Sequence, residues 1–370
     1  MNKVLNRENL VTLITILVSI ILIYLGHQHT SRHIVVAPND NNVSFHRVTT
    51  ENILNDDDMG ITFTFYDENG VEQTAFMSRA IADVLGRVSP GQEIIVSQGV
   101  GNMLDLPFNF FDYLRLPNFL IMFALFLGAV ILYGRKKGLL SVIALLITLA
   151  TLFLVFLPAI LSRMNVYLWL AICCLFIVTT TLLIVYGPTK KTLCAGIGIL
   201  IGLFIATIIM FFFQKNLHIT GLGVDNMFFL NQTFQHAPLD IRAILFSLII
   251  LSCLGAVMDV GISIASAVAE LKENNEDVTF LQLMKSGNNI GRDINGTMVN
   301  TLVLAFIGTS FINFISLLSF QFDLMTFLNG EGFILEMFQP LIGSFGILIT
   351  LPITALVSAY IYDRFHVIKD

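Results

Sequence analysis

The feature that most limits what this chain can become is a series of apolar runs, each about 20 residues long, separated by short polar breaks. A hydrocarbon core about 30 Å thick is crossed by about 20 residues of helix, and the runs meet that length repeatedly. They fall at Asn9 to Gly26 and at 117–133, 138–160, 165–187, 192–213, 241–266, 294–317 and 334–360. Composition points the same way, since 55% of the 370 residues are hydrophobic and only 12% charged, about half the charged fraction of an ordinary soluble domain. No water-soluble core can conceal that excess, and lipid is the solvent that fits. The expected fold is an all-α polytopic membrane protein with about eight transmembrane helices.

One long stretch differs. TFTFYDENGVEQTAFM alternates apolar and polar residues on both sides of a turn at Asp67, Glu68, Asn69 and Gly70, which is a hairpin signal. EIIVSQGV, introduced by Pro90 and Gly91, is a further strand candidate. The expected organisation is a transmembrane anchor over 1–26, a small β-rich extracytoplasmic domain over 27–115 between the first and second helices, and a seven-helix membrane domain over 116–370. Lys3 and Arg7 precede the first run, and the HQHTSRH that follows it lacks a small-x-small cleavage pattern, so the run reads as an anchor rather than a cleaved signal.

Orientation follows from lysine and arginine placement, because cytoplasmic loops carry these residues in excess near the membrane. With the N-terminus inside, the inner side receives Lys3, Arg7, Arg135, Lys136, Lys137, Lys190, Lys191, Lys272, Lys285, Arg292, Arg364 and Lys369. The short outer loops receive Arg163, Lys215 and Arg242. The expected location is a cytoplasmic membrane, with both termini cytoplasmic and the β-rich domain outside. An odd number of spans would destroy this asymmetry.

Ionisable groups inside a bilayer are costly and point to function. The run LGAVMDVGISIASAVAEL places Asp259 between apolar stretches. At about 100° per residue, Ser252, Gly255, Asp259, Ser263, Ser266 and Glu270 fall within an arc of roughly 80°, a polar face suited to another helix or a wet cavity. In NNIGRDINGTMVNT, Asp293, Thr297 and Asn300 fall within about 60°. Both faces reach similar depths, so Asp259, Ser263, Ser266, Glu270, Thr297 and Asn300 are the candidate binding site for an ion or small solute, with Asp259 its charged or protonatable member. An Asp259–Arg292 pair is the structural alternative. Arg292, Asp293 and Glu336 are candidate gating or interfacial groups, and Gln339, Gly343, Thr350, Thr354 and Ser358 lie along one side of the last run.

Other signals are weaker. Between the sixth and seventh runs, Asp277 is expected to cap a short helix near 277–286 whose Val278, Leu281 and Met284 share a face, ending near Gly287. It would lie on the inner leaflet or dock a protein partner. His27, His29 and His33 read as solvated juxtamembrane surface rather than a metal site. The four cysteines sit in apolar runs and read as small hydrophobes. No serine-hydrolase element, HExxH pair or P-loop appears, no basic patch suggests nucleic acid, and no cofactor or catalytic residue is expected.

GAVMDVGISIAS, IGRDINGTMVNTL, the terminal GSFGILITLPITA, and GPTKKTLCA at the fourth-to-fifth junction together resemble the YibE/F family of bacterial multi-pass membrane proteins, from about Asn118 to the end. The 27–115 domain resembles the longer YibE-like members in position and size. The resemblance implies a membrane protein sometimes described as a permease, and it carries over no substrate, partner or residue role. The expected function is permease-like, with a non-transporting membrane scaffold or assembly factor as one alternative. The membrane subunit of a complex with a separate cytosolic ATPase is another.

Overall fold

The computed structural model describes residues 2–34, 43–99, 106–223, 225–234, 238–319 and 323–364. Of the residues named above, Val100 and Lys369 lie outside these ranges, as do the side chains of Lys3, Arg7 and His33. In chain order the elements begin with α1 (Asn2–Thr30), β1 (Ser44–Asp56), β2 (Gly60–Tyr66), β3 (Glu72–Ser78), α2 (Arg79–Leu85), β4 (Glu93–Gln98) and β5 (Phe108–Tyr113). Then come α3 (Leu116–Thr151), a π-helical turn (Leu152–Phe156), α4 (Leu157–Leu161), α5 (Val166–Tyr186), α6 (Lys190–Asn216) and α7 (Asp225–Thr233). The chain continues through α8 (Ile241–Asn274), α9 (Phe280–Ser319), α10 (Leu324–Asn329) and α11 (Glu331–Arg364). Two compact units result, one of residues 36–133 and one of residues 1–35 with 134–370.

The first unit contains a closed barrel in the order β1-β2-β3-β5-β4. The expected hairpin is β2 with β3, in register from Gly60↔Ser78 to Tyr66↔Glu72. Asp67 fixes its turn by accepting from the backbone N–H groups of Asn69 and Val71, both at 2.9 Å. The second expected strand is β4, which pairs antiparallel with both β1 and β5. Parallel pairing of β3 with β5 closes the cylinder, the arrangement of a five-stranded OB-type barrel. Ile61, Phe63 and Phe65 alternate into its core and meet Met77, Ile94 and Val96. Gly60 is required at the start of β2, because at φ 156° a Cβ there would meet the Met77 carbonyl oxygen at 2.2 Å.

In the second unit α11 packs against α6, α8 and α9. Its closest approach is to α6, where a Cβ on Gly198 would lie 2.0 Å from Thr354 Oγ1 and one on Gly202 would lie 1.8 Å from Thr350 Oγ1. Lipid is as apolar as leucine, so membrane helices gain by approaching closely through small residues, and Gly198-x-x-x-Gly202 supplies that groove. Thr350, Thr354 and Ser358, expected on a polar side of the last run, are fully buried there. α1 joins at the π-helical turn, where Gly26 packs on Val155. The register change of such a turn frees carbonyls, and His27 Nδ1 bonds the carbonyl oxygen of Leu154 at 2.8 Å.

One expectation is met in coarser form and another changes. Seven helical stretches among the described residues are long and apolar enough to cross a membrane, where about eight runs were expected. The runs at 117–133 and 138–160 fall in one stretch, Leu116–Leu161, interrupted at Arg135 by φ 48° and ψ −124°. The separate helix near 277–286 is also absent, because α9 continues unbroken from Phe280 to Ser319. Gly287 does not end the helix; it lets α9 pack on Ala355 and Val268, and Gly291 does the same against Leu351 and Ile264. Thr279, not Asp277, precedes the first turn, and its backbone N–H donates to Gln282 Oε1 at 2.9 Å, half of a capping box. The buried face of this segment holds Leu283, whereas Leu281 is 68% exposed.

Candidate functional site

α8 has two unlike faces. Cys253, Val257, Val260, Gly261 and Ile264 are buried, and Gly261 meets Ile199 of α6. Gly255 and Asp259, one turn apart on another side, open into a cavity of about 420 Å³. Ser141 and Thr148 of α3 and Thr181 and Tyr186 of α5 supply its other polar groups, within walls of leucine, isoleucine and valine. Among the described residues the Asp259 carboxylate has no hydrogen bond and no ion pair. Ser141 Oγ donates to the Lys137 carbonyl at 2.9 Å, and a carboxylate facing a mostly apolar cavity lined by further hydroxyls can take a cation, a proton or a hydrogen-bonding solute.

The other predicted residues divide. Ser263 Oγ donates to the Asp259 carbonyl at 2.7 Å and so serves its own helix. Ser266 is half-buried and Glu270 exposed, and neither lines the cavity. Thr297 and Asn300 do not meet Asp259: the lining comes from α3, the π-helical turn, α5 and α8, while both α9 residues are exposed. The reason is rotational. The side of α9 that carries Gly287 and Gly291 packs against α8 and α11, and Asp293, Thr297 and Asn300 lie about 100 to 160° around the helix from it. Thr297 Oγ1 donates to the Ile294 carbonyl at 2.8 Å. Arg292 and Asp293 are exposed, and no Asp259–Arg292 pair forms among the described residues.

Glu336 is half-buried and ties α11 to α9, accepting from Ser310 Oγ and from Asn313 Nδ2 at 2.7 Å. The nearby Glu331 went unnoticed in the sequence. Its carboxylate accepts from the backbone N–H groups of Thr220 and Gly221, each at 2.6 Å, and from Thr220 Oγ1. No local pattern announces such a contact across 110 residues. Asn295, which carries no distinguishing sequence signal, has its Oδ1 buried without a hydrogen-bond partner among the described residues. Tyr186, Thr181 and Thr148 looked like ordinary polar residues within apolar runs. The Gly198-x-x-x-Gly202 spacing is a signal of close helix packing that the sequence itself carries.

The fold is that of a polytopic α-helical membrane protein with an appended β-barrel. Residues 122–364 match the YibE/F-like protein family, and the chain belongs to that family. The match begins within α3 and ends with α11, leaving the barrel outside it. Neither the curated proteins nor the solved structures contain a match.

Proposed function

We propose that this chain is a permease-like protein of the bacterial cytoplasmic membrane, with Asp259 as the charged or protonatable centre of an ion or solute path. One observation carries the reading: the Asp259 carboxylate has no hydrogen bond or ion pair among the described residues, yet faces a cavity large enough for a small solute. A carboxylate costs roughly 2.5 to 3.5 kcal/mol at mid-membrane. Glu331 and Glu336 return some of that cost by joining elements, whereas Asp259 joins nothing, which suits a group whose partner is a ligand. On this reading the 46-residue stretch Leu116–Leu161, about 69 Å of helix, turns at Arg135 and makes two of eight spans. The lysine and arginine asymmetry then puts both termini inside and the barrel outside. No residue is assigned a catalytic role.

Proteoliposomes holding a pH-sensitive dye, tested against a panel of ions and small solutes, provide the assay. Asp259→Asn should abolish flux while the protein stays folded, and Asn300→Ala should leave flux intact. Well-folded wild type that moves nothing, under proton gradients of either direction, would sink the proposal. A second reading, a scaffold or a subunit served by a separate cytosolic ATPase, is favoured by the exposed Asp293, Thr297 and Asn300 on α9. The most apolar stretch of that helix is only 6% buried, against 61% for α8. Crosslinking from Asn300 or Phe280 that captured no partner would count against it.

A further inference from the structure

A second cavity, of about 410 Å³, lies where α1, the start of the second half of α3 and the α5–α6 junction come together. Its polar lining includes Asn9, Lys136, Lys137, Tyr186, Thr189 and Lys191, with no carboxylate among the described residues. Two irregular backbone positions deliver the lysines. Arg135, at φ 48°, ends one half of α3 just before Lys136 and Lys137, and Gly187, at φ 72°, turns the chain out of α5 toward Lys191. Lys136 Nζ donates to Asn9 Oδ1 at 2.6 Å, while Lys137 and Lys191 have no ion pair among the described residues. Thr189 caps α6, its Oγ1 accepting from the Thr192 N–H at 3.2 Å. The positive end of a 27-residue helix therefore adds to the same mouth.

Placement of positive charge on one side of a membrane needs lysines in the loops, but it does not require them to converge. Three lysines lining one concave, partly apolar cavity carry like charges that repel, and low-dielectric walls focus their field. An anion with several acceptor oxygens removes that repulsion and uses the lysine donors together. We propose that this cavity binds a phosphate-type oxyanion, carried by a lipid headgroup or free in solution. Val185 and Tyr186 line both this cavity and the one holding Asp259, so the bound anion would adjoin the Asp259 site. The proposal concerns binding alone and does not depend on transport.

The test compares wild type with the double variant Lys137→Gln/Lys191→Gln, the charge-keeping Lys137→Arg/Lys191→Arg, and Lys285→Gln as a distant control. Each is first shown to be folded by gel filtration and thermal unfolding. One arm measures inorganic phosphate binding by titration calorimetry in detergent. The other measures phosphatidylglycerol retention against phosphatidylcholine by native mass spectrometry from nanodiscs. Expected is a loss of about tenfold in the Gln variant, none in the Arg or Lys285 variants, and weakening with salt. A loss in the lipid arm identifies a headgroup site, and a loss in the phosphate arm identifies a soluble anion. No binding in either arm, or binding that the Gln variant leaves unchanged, would overturn the assignment.

Discussion

In the barrel unit, Asp56 sits between Arg79 at 2.6 Å and Arg87 at 2.8 Å, and Asp112 lies 2.6 Å from Arg115. In the membrane unit the acceptors are served differently. Glu331 takes two backbone N–H groups and a hydroxyl, Glu336 takes a hydroxyl and an amide, and among the described residues Asp259 takes no hydrogen bond. The contrast follows the solvent. Where water screens both partners, an arginine can be held beside a carboxylate cheaply. Inside a bilayer the arginine would need desolvating too, so neutral donors suffice for structural carboxylates. A carboxylate left without even those stands out, which makes Asp259 the group to test.

The largest effect should come from the helix contacts of the membrane unit. Gly202→Leu inserts a side chain where a Cβ alone would lie 1.8 Å from Thr350 Oγ1, and overpacking of this kind costs about 3 kcal/mol or more. Thermal gel filtration should show little folded protein, whereas Gly255→Ala, which meets nothing within 4 Å, should behave as wild type. If Gly202→Leu unfolds at the wild-type temperature, the bundle does not depend on close glycine contacts.

Next comes Glu331→Ala, which leaves the N–H groups of Thr220 and Gly221 without their acceptor. Removing a charged acceptor costs about 2 kcal/mol, and hydrogen exchange at these two amides should speed up accordingly. Asp259→Asn should not destabilise, since no hydrogen bond or ion pair seen among the described residues is lost. A clear drop in its melting temperature would mean that Asp259 is a structural residue like Glu331.

Acid should separate the two units. Backbone N–H groups, from Met59 and then Gly60, hold the Asp57 carboxyl below its ordinary value of 3.8. The Val71 N–H does the same for Asp67, and the Arg115 guanidinium lowers Asp112. Because the folded values are the lower ones, the stabilisation is present above the unfolded values and is lost as pH falls through the folded ones. Amides of β2, β3 and β5 should therefore lose exchange protection as pH drops below about 4, before those of α6 and α11. Asp67→Asn should flatten the response. The reverse order would break the comparison.

Smallest is Glu93→Gln. The Arg47–Glu93 pair is 61% and 46% exposed at its two side chains, and exposed pairs contribute about 0.2 to 1 kcal/mol. A larger loss on chemical unfolding would mean that the barrel relies on its surface charges more than water should allow.

Much of the architecture was readable in the residues. Run lengths located the long helices because the thickness of hydrocarbon is fixed, and β2, β3 and β4 followed from alternation and the Asp67–Gly70 turn. The site was only half legible. The polar faces of α8 and α9 were set by 3.6-residue periodicity, but their meeting was not, because periodicity says nothing about which way a helix is turned toward its neighbours.

What the sequence alone determined was the solvent, the helix lengths, the hairpin and the singularity of Asp259, all of which depend on local composition and spacing. The tertiary structure decided the partners. Glycines at 287 and 291 turn α9 so that Thr297 and Asn300 point away from α8. Glycines at 198 and 202 bury the Thr350 and Thr354 hydroxyls against α6, and Tyr186 is brought between a lysine-lined cavity and Asp259. These outcomes depend on which helices approach closely, and that is fixed by shape complementarity between segments that local spacing does not connect.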